Sequence, residues 1–411
     1  MLPVLLALSA LAAPPPLCAA ARTRAFASST GGEVFAPWER AERFQTHEPS
    51  LERLQQMIDA LSARGTFVII VLLPTRPLAS SHPVADWDRE RAVASYSAAR
   101  DRLASLRGVA VVDALAIAAN KPGFFFPLDH HWAPEGARAA AELAGAAAML
   151  QPSLQAVPQH RYHSQPGPSE LRSGTVARQV AGLCGKDVLP PTTYTPWTTV
   201  RLDTASLLGE QGPANVVAIG TSNLEAPWNF TGFLSETMGV DVLNAGLGAG
   251  HALGGWLKWL SSDAADHAPA VVVWELEVVD LDDTVRPAYP GFQQVEPWQQ
   301  LIALAQGPCP SSPWHTTTAL EASTALFDGL APGPDVVLRL RVTNPHHGPL
   351  RVRTTGQDGA VVEQPIAQWR TPAPGPNIAT TLVNPHPKRV ELLTSQPGGS
   401  VEAWLCPAGV R

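Results

Sequence analysis

Positive charge is scarce in this sequence of 411 residues. Lys and Arg together number 29 against 36 Asp and Glu, so the formal net charge at pH 7 is −7. Nucleic-acid binding needs a basic surface that neutralises phosphates, so this balance argues against a nucleic acid as the main partner. Charged residues make up only 16% of the chain and hydrophobic residues 45%. The chain therefore has enough apolar material for a packed core, and its length favours two domains.

Cysteines are also few. Cys18, Cys184, Cys309 and Cys406 form no closely spaced pair, which argues against a zinc ribbon. In an exported protein they would be oxidised. We expect Cys309 to pair with Cys406 and close the last stretch of chain. Cys184 then pairs with Cys18 if Cys18 is retained, or stays a buried free thiol, and the sequence leaves both open. The chain has no P-loop and no glycine-rich dinucleotide turn, so we predict no nucleotide or flavin cofactor.

The only long apolar run without charge lies at the N-terminus. Residues 2–13 are almost wholly apolar and small residues follow them. A bilayer span needs about 20 residues, and so short a run is typical of a signal-peptide core. It lacks a preceding basic residue, the first being Arg22. We predict a signal peptide over residues 1–22 and a periplasmic or otherwise exported protein.

The remaining apolar runs predict a parallel sheet. They are rich in Val and Ile and nearly continuous, which is typical of strands buried on both faces. The runs are 67–74, 109–115, 215–220, 240–247 and 270–279. Helix-like segments alternate with them, so the sequence predicts a doubly wound α/β domain over residues 23–300. Residues 151–200 show no clear period, and we interpret them as a long surface excursion.

Beyond residue 300 the pattern changes to alternation of apolar and polar residues. This alternation recurs at 336–343, 350–355, 388–394 and 401–407, with Pro- and Gly-rich turns between the segments. The sequence therefore predicts a small antiparallel β-sandwich over residues 301–411.

The first stretch with catalytic potential is Asp-His-His-Trp at 129–132. Pro134 is well placed as the first residue of an alanine-rich helix, so His131 precedes a helix N-terminus. The positive end of the helix dipole disfavours the imidazolium and keeps the ring available as a base. Asp129 can fix the tautomer of His131. Two alternatives stay open: a capping Asp beside a packed His and Trp, and a metal site that includes His130.

The second stretch is Gly-Thr-Ser-Asn at 220–223, directly after a predicted strand. The carboxyl ends of parallel strands face the ligand crevice, so Ser222 is well placed as a nucleophile. Its own N–H or that of Asn223 can contribute to an oxyanion hole. Asn244 and Gly246 follow another strand and are further candidates. The alternatives are helix capping at 221–222 and simple turn chemistry at 244–246.

Together these residues resemble the SGNH-hydrolase-like alginate O-acetyltransferases of the AlgX and AlgJ type. In that family an Asp-x-His-Trp motif precedes a Gly-Thr-Ser motif. Residues 129–132 match the first motif and residues 220–222 the second, and the resemblance covers roughly residues 35–290.

The resemblance implies an O-acetyltransferase that acts on an exopolysaccharide such as alginate. Ser222 would carry the acyl group, with His131 and Asp129 completing a triad and no cofactor. Trp132 and Arg76 would lie near the substrate groove. The resemblance also implies a C-terminal carbohydrate-binding module, a disulfide in each domain and a membrane-bound partner that supplies acetyl groups. Two alternatives remain: an exported carbohydrate O-acetylesterase with the same triad, and a non-catalytic polysaccharide-binding protein of a secretion complex.

The predicted sandwich contains a candidate polysaccharide-binding surface. Side chains alternate along a strand, so Arg339 and Arg341 share one face of their strand, as do Arg351 and Arg353. We predict that the two strands form a hairpin and that the four arginines line one face. Such a stripe would suit the carboxylates of an anionic polysaccharide. The alternative is an ordinary solvated sheet face.

Overall fold

The apolar runs form a parallel sheet and the alternating segments form strands of two antiparallel sheets. A computed structural model describes residues 17–185, 189–203, 214–288, 290–307, 314–330, 336–342, 350–366, 377–382 and 387–407. The helices are α1 (Ala19–Thr23), α2 (Glu48–Ala63), α3 (Arg76–Ala79), α4 (Arg89–Ala104), α5 (Ala114–Ala118), α6 (Pro134–Met149), α7 (Pro152–Gln155), α8 (Thr175–Cys184), α9 (Phe230–Met238), α10 (His251–Leu260) and α11 (Val295–Ala305). The strands are β1 (Ala27–Ser28), β2 (Val34–Phe35), β3 (Phe67–Leu73), β4 (Val109–Asp113), β5 (Tyr162–Pro166), β6 (Glu170–Arg172), β7 (Thr192–Tyr194), β8 (Trp197–Arg201), β9 (Val216–Ile219), β10 (Val242–Asn244), β11 (Val271–Glu277), β12 (His315–Ala319), β13 (Ser323–Phe327), β14 (Val336–Val342), β15 (Leu350–Gly356), β16 (Val361–Pro365), β17 (Asn377–Leu382), β18 (Pro387–Thr394) and β19 (Ser400–Pro407).

The central sheet has the strand order β10-β9-β11-β3-β4, and every neighbouring pair is parallel. All residues of β11 are buried, as expected for a strand with helices on both faces. One apolar core packs α2, α4, α10 and α11 against one face of the sheet. A second core packs α6 and α9 against the other face. The predicted doubly wound α/β fold is confirmed.

The C-terminal segments form the predicted antiparallel β-sandwich. One sheet has the order β12-β19-β14-β17 and the other the order β13-β18-β15-β16. Leu338 and Leu340 of the first sheet and Val352 and Leu392 of the second have no exposed surface and belong to one core. The boundary predicted at residue 300 falls inside α11, which packs against α2 of the α/β domain. The α/β domain therefore extends to the end of that helix.

The predicted arginine stripe is wrong. Strand β14 carries Arg339 and Arg341 and pairs with β17 and β19, whereas β15 carries Arg351 and Arg353 and pairs with β16 and β18. The two strands thus belong to opposite sheets. Side-chain alternation fixes which residues of one strand share a face, but it says nothing about which sheet the next strand joins.

The segment 151–200 contains more regular structure than its sequence indicates. Strand β5 pairs with β8 and β6 pairs with β7, and in the chain α8 lies between β6 and β7. Its short strands show no clear apolar period because their side chains are mostly half-buried or exposed. This segment packs beside the motif at 129–132, where the Ala177 N–H donates to the Leu128 carbonyl.

A disulfide joins Cys18, just before α1, to Cys184 at the end of α8. Ala21 of α1 is fully buried beside α8 residues. A signal-peptide boundary at residue 22 would divide this ordered helix and remove Cys18, so a boundary that keeps Cys18 fits the structure better. The pairing of Cys309 with Cys406 cannot be placed, because Cys309 lies outside the described residues. In the described part of the chain, no helix has both the length and the hydropathy that a membrane span requires.

Candidate active site

Ser222, His131 and Asp129 form one hydrogen-bonded chain. The Ser222 Oγ lies 2.7 Å from the His131 Nε2, and the His131 Nδ1 lies 2.7 Å from the Asp129 Oδ1. His131 and Asp129 are 4% and 2% exposed, whereas Ser222 is partly exposed. The two motifs, which are 91 residues apart in the chain, therefore meet at the carboxyl edge of the sheet in the geometry that nucleophilic catalysis requires.

Ser222 is held at the start of a short 3-10 helix that follows β9 directly. Thr221 caps this helix, since its Oγ1 accepts the N–H of Asn223. Gly220 is needed for close approach: a Cβ at this position would lie 2.5 Å from a carboxylate oxygen of Glu275 on the neighbouring strand. The sharp turn after β9 thus leaves the Ser222 hydroxyl partly exposed, while Thr221 and Asn223 on either side are held by hydrogen bonds to Glu275.

His131 precedes α6, and Pro134 is the first residue of that helix, as predicted. The Phe126 N–H donates to the His131 carbonyl, and Phe125 forms an isolated bridge with Trp132. These bonds fix the backbone of the loop.

The ring of His131 also stacks on Trp228, with centroids 5.5 Å apart, and the indole N–H of Trp228 donates to the Ser222 carbonyl. Trp228 therefore braces both members of the His–Ser pair.

Asp129 has a second partner that the sequence motif does not contain. Burial alone would raise the pKa of the Asp129 carboxyl, but the hydrogen bond from His131, the neighbouring histidines and the bond from Arg172 together lower it below its ordinary value. Arg172 donates from Nε to the Asp129 Oδ2 at 3.2 Å, and its guanidinium lies 4.6 Å from the centroid of the Trp228 ring. Asp129 therefore stays ionised and accepts hydrogen bonds at both carboxylate oxygens.

Arg172 and Trp228 are site residues that sequence reasoning missed. Arg172 lies on β6, in the segment without a clear apolar period, and Trp228 lies in a short 3-10 helix after Ser222. The closeness of Trp228 to Ser222 in the chain was the only available signal. Nothing in the sequence around Arg172 indicates that it meets a motif 43 residues earlier.

The predicted oxyanion donors Asn223, Asn244 and Gly246 use their N–H groups in hydrogen bonds within the protein. The Gly246 N–H donates to the Asn244 Oδ1, and the Asn244 Nδ2 donates to the Leu224 carbonyl, so these two residues close a turn. The Asn223 N–H is used in the cap by Thr221. Among the described residues, the N–H groups of Ser222 and Gly248 have no acceptor. A Cβ built on Gly248 would lie 3.8 Å from the Ser222 Cβ, which places this glycine directly beside Ser222.

Trp132 and Arg76 do not face the groove. Trp132 has no exposed surface, and its indole N–H donates to the Asn223 carbonyl. Arg76 is 2% exposed and donates to Glu39 and to the carbonyls of Val34, Phe126 and Pro127. The prediction of substrate contacts for these two residues is wrong, because their polar atoms are buried and used to hold the site together.

A metal ion would compete with the triad. The ligand atoms of Asp129, His130 and His131 lie within 4.8 Å of one another. However, both ring nitrogens of His131 already form hydrogen bonds, one to Asp129 and one to Ser222. Burial and the neighbouring His131 lower the pKa of His130 to about 2, so its ring is neutral. Coordination by all three side chains would break the Ser–His bond.

A strand-end serine bonded to an Asp-x-His loop, on a doubly wound parallel sheet, defines a serine site of the SGNH-hydrolase-like class. Comparison with known proteins gives the family. The chain belongs to the family of SGNH hydrolase-like acetyltransferase domains of the AlgX type, whose family model matches residues 34–278.

Individual relatives agree with this assignment. The chain is 28% identical over 303 residues to the alginate biosynthesis protein AlgX of Pseudomonas putida, covering 70% of this chain and 60% of the relative. It is 27% identical over 257 residues to the probable alginate O-acetylase AlgJ of the same organism, covering 59% of this chain and 65% of the relative. The chain thus matches less than two thirds of the length of these curated relatives. The solved structure of Pseudomonas aeruginosa AlgX has a TM-score of 0.78 at 20% identity over 95% of this chain and 99% of that chain, which shows a shared fold.

Proposed function

We propose that this protein is an exported O-acetyltransferase that acetylates a polysaccharide through an acyl-serine on Ser222. The observation that carries the proposal is the hydrogen-bonded chain from Ser222 through His131 to Asp129. Family membership supports the reaction, and two relatives bear names that refer to alginate biosynthesis and alginate O-acetylation.

In the first half-reaction the His131 Nε2 takes the Ser222 proton while Oγ attacks the acetyl carbonyl of the donor. The new oxyanion accepts hydrogen bonds from the N–H groups of Ser222 and Gly248. Collapse of the intermediate breaks the bond between the acetyl carbon and the donor oxygen, and His131 returns its proton to that oxygen. Such a base and such oxyanion donors each contribute roughly two to four powers of ten in rate.

In the second half-reaction a sugar hydroxyl takes the place of the departed donor. His131 accepts the hydroxyl proton while the sugar oxygen attacks the carbonyl carbon of the acyl-serine. Collapse of this second intermediate breaks the bond between the acetyl carbon and the Ser222 Oγ, and His131 returns the proton to that oxygen. Asp129 stays ionised throughout and stabilises the imidazolium that forms twice in the cycle. Attack by water in the same position would give an esterase, so exclusion of water decides between the two activities.

An anionic acceptor fits the edge of this site. Arg172 is 25% exposed, and among the described residues its Nη1 and Nη2 have no hydrogen-bond acceptor, because only Nε is used on Asp129. Stacking on Trp228 fixes the plane of the guanidinium. A planar fork held in this way suits the carboxylate of a uronic acid unit next to the acetylated sugar.

Three parts of the proposal rest on the family likeness. They are the periplasmic location, the carbohydrate-binding role of the C-terminal sandwich and a membrane-bound partner that supplies acetyl groups. The sandwich has the two-sheet architecture common in binding modules, which supports that role.

The test uses purified protein with a chromogenic acetyl ester as donor, with and without uronate oligosaccharides. Mass spectrometry follows acetyl gain on the sugar while absorbance follows ester loss. We expect acetyl gain that disappears in Ser222→Ala and persists in Ser105→Ala, which removes an exposed serine at the end of α4. Serine-dependent ester loss without acetyl gain would replace the transferase by an esterase. Equal behaviour of wild type and Ser222→Ala would contradict any acyl chemistry at this site.

A further inference from the structure

Two glutamates lie at the carboxyl end of an otherwise apolar strand, directly behind Ser222. Glu275 and Glu277 belong to β11, and because side chains alternate along a strand they point to the same side. Glu275 has no exposed surface and Glu277 is 8% exposed. Carboxyl groups are almost never buried in this way unless they are paired or hydrogen-bonded, so their partners indicate what they do.

The partners of Glu275 are the two chain neighbours of Ser222. The Thr221 N–H lies 2.7 Å from the Glu275 Oε2, and the Thr221 Oγ1 lies 3.0 Å from the same oxygen. The Asn223 Nδ2 donates to the Glu275 Oε1 at 3.0 Å. Glu275 therefore holds the nucleophile turn from below on both sides of Ser222.

Asn223 links Glu275 to Glu277. Its Nδ2 donates to the Glu277 Oε1 at 3.2 Å as well as to Glu275, which brings the two carboxyl groups to one amide. Glu277 also binds Arg286, with 2.5 Å between Oε2 and Nη1. Of the two, Glu277 has the cation that stabilises its ionised form, so the proton belongs on Glu275.

We propose that Glu275 is a positioning residue that acts on Ser222 through Thr221 and Asn223, and that it does so in its protonated form. Oε2 accepts both the N–H and the O–H of Thr221, so the proton is carried on Oε1, the oxygen that shares the Asn223 amide with Glu277. This arrangement keeps the bonds that Thr221 donates to Glu275 and limits the pair to one negative charge, that of Glu277, which Arg286 balances. The inference rests on the proposed function, since Ser222 must be the nucleophile for its position to matter.

The surroundings of the pair fix the direction of its pH response. Burial, reinforced by the charge of Glu277, raises the pKa of Glu275 to about 8. Burial also raises the pKa of Glu277, which Arg286 opposes. The other charged or titratable side chains around the pair are His130 and His131 from the loop before α6, Arg76 and Glu39 beside the small cavity next to Glu277, Asp280 after β11, and His251 and Lys258 on α10.

Ionisation of Glu275 places a second negative charge in the pair and behind the oxyanion, so activity should fall as pH rises through about 8. Folding is affected over a different range. The folded protein keeps a proton that the unfolded chain releases above a pKa of about 4.5, so this group lowers stability progressively from about pH 4.5 to about pH 8.

The experiment is the pH dependence of kcat/KM for a chromogenic acetyl ester, corrected for spontaneous hydrolysis. We expect a descending limb near pH 8 in the wild type that is absent in Glu275→Gln, which keeps an acceptor for the Thr221 N–H but does not titrate. Glu277→Gln removes the repelling charge, so its limb should move to lower pH. Glu236→Gln, a partly buried glutamate on α9, is the matched control and should follow the wild-type profile.

Activity at pH values below the descending limb distinguishes a positioning role of Glu275 from a general loss of folding. Glu275→Gln should retain activity within about tenfold of wild type, whereas Glu275→Leu, which removes every acceptor, should lose about a hundredfold. If Glu275→Gln folds poorly, the melting temperature still tests whether Glu275 is protonated in the folded protein. The wild-type Tm should decline from pH 4.5 to pH 8, and the difference in Tm between wild type and Glu275→Gln should narrow or reverse over that range.

An unchanged descending limb in Glu275→Gln would overturn the inference, and so would a wild-type profile without such a limb. Failure of the proposed function gives a different result: Ser222→Ala would then match wild type at every pH, whatever the glutamate variants do.

Discussion

The arginine beside the triad and the arginines of the C-terminal sandwich differ in what surrounds them. Arg172 uses only Nε on Asp129, and among the described residues its two terminal nitrogens have no acceptor. In the sandwich, Arg339 binds Asp266 of the α/β domain at 2.8 Å, and Arg353 binds Glu363 of the neighbouring strand. The residues that look like a binding surface in the sequence thus serve the fold, whereas a lone arginine in an irregular segment faces the site.

The difference teaches that charge spacing along a strand is weak evidence for a binding surface. Exposed ion pairs such as Arg353 with Glu363 are worth little in stability, about 0–1 kcal/mol, but they occupy the donors that a ligand would need. Arg172 is held by an aromatic face and one carboxylate, which fixes its direction and leaves donors available. Four predictions test this contrast between the site edge and the sandwich.

The largest effect is expected for Asp129→Asn. An amide at this position can donate to the His131 Nδ1 and would stabilise the tautomer that cannot accept the Ser222 proton. We expect roughly a 10³–10⁴-fold loss of kcat for the chromogenic ester with little change in Tm. Steady-state kinetics and a thermal melt measure both. A loss below tenfold would mean that the triad is not the working unit at this edge.

Arg172→Gln tests directly whether Arg172, unlike the arginines of the sandwich, binds the acceptor. If Arg172 binds a carboxylate of the acceptor, acetyl transfer to uronate oligosaccharides should fall about 10–100-fold in kcat/KM. Ester loss without sugar should fall only a few fold, because Arg172 supports Asp129 but does not carry the proton. Arg138→Gln is the control, since Arg138 also lies over aromatic rings but pairs with Glu236. Equal losses with and without the uronate would assign Arg172 to the triad alone.

Removal of the disulfide that holds the segment containing Arg172 should mainly lower the stability of the folded protein. Cys18 and Cys184 are 166 residues apart in the chain, and the loop-entropy account predicts a loss of about 5 kcal/mol when such a bridge is removed, less any relief of strain. Cys18→Ser with Cys184→Ser should therefore lower the Tm of the oxidised protein, and transfer to uronates should fall more than ester loss. A double variant with wild-type Tm would show that the bridge does not constrain this segment.

The smallest effect is expected in the sandwich. Arg351 and Arg353 are partly exposed and face Glu363, so replacing both by Gln should change the Kd for an anionic polysaccharide less than about twofold. Calorimetry or a co-sedimentation assay with alginate measures the change. A tenfold loss of affinity would restore the sandwich face as a binding surface and reverse the contrast drawn above.

Much of the framework could be predicted because its signals are local. Continuous Val- and Ile-rich runs predict buried parallel strands, and all five predicted runs lie in one sheet. The two motifs predict the triad because a strand-end serine and a pre-helix histidine face the same edge of a parallel sheet. The alternation after residue 300 predicts β14, β15, β18 and β19, but not the other four strands of the sandwich.

What sequence reasoning missed depends on contacts between distant segments. Strand alternation could not assign β14 and β15 to different sheets. The role of Arg172 depends on how an irregular segment folds back onto Asp129, and no period or motif marks it. The family motif and the family loop that contain Trp132 and Arg76 predict a place near the groove, but the burial of these side chains is a property of packing that neither segment reveals.

The central claim is that Ser222 carries the acyl group, and the direct measurement is mass spectrometry of the intact protein after brief reaction with an acetyl ester and acid quench. We expect the added mass of one acetyl group, located on the peptide that contains Ser222, and its loss when uronate oligosaccharide is added before the quench. The adduct should be absent in Ser222→Ala and strongly reduced in His131→Ala. An acetyl group on another residue, or the same adduct in Ser222→Ala, would contradict the account.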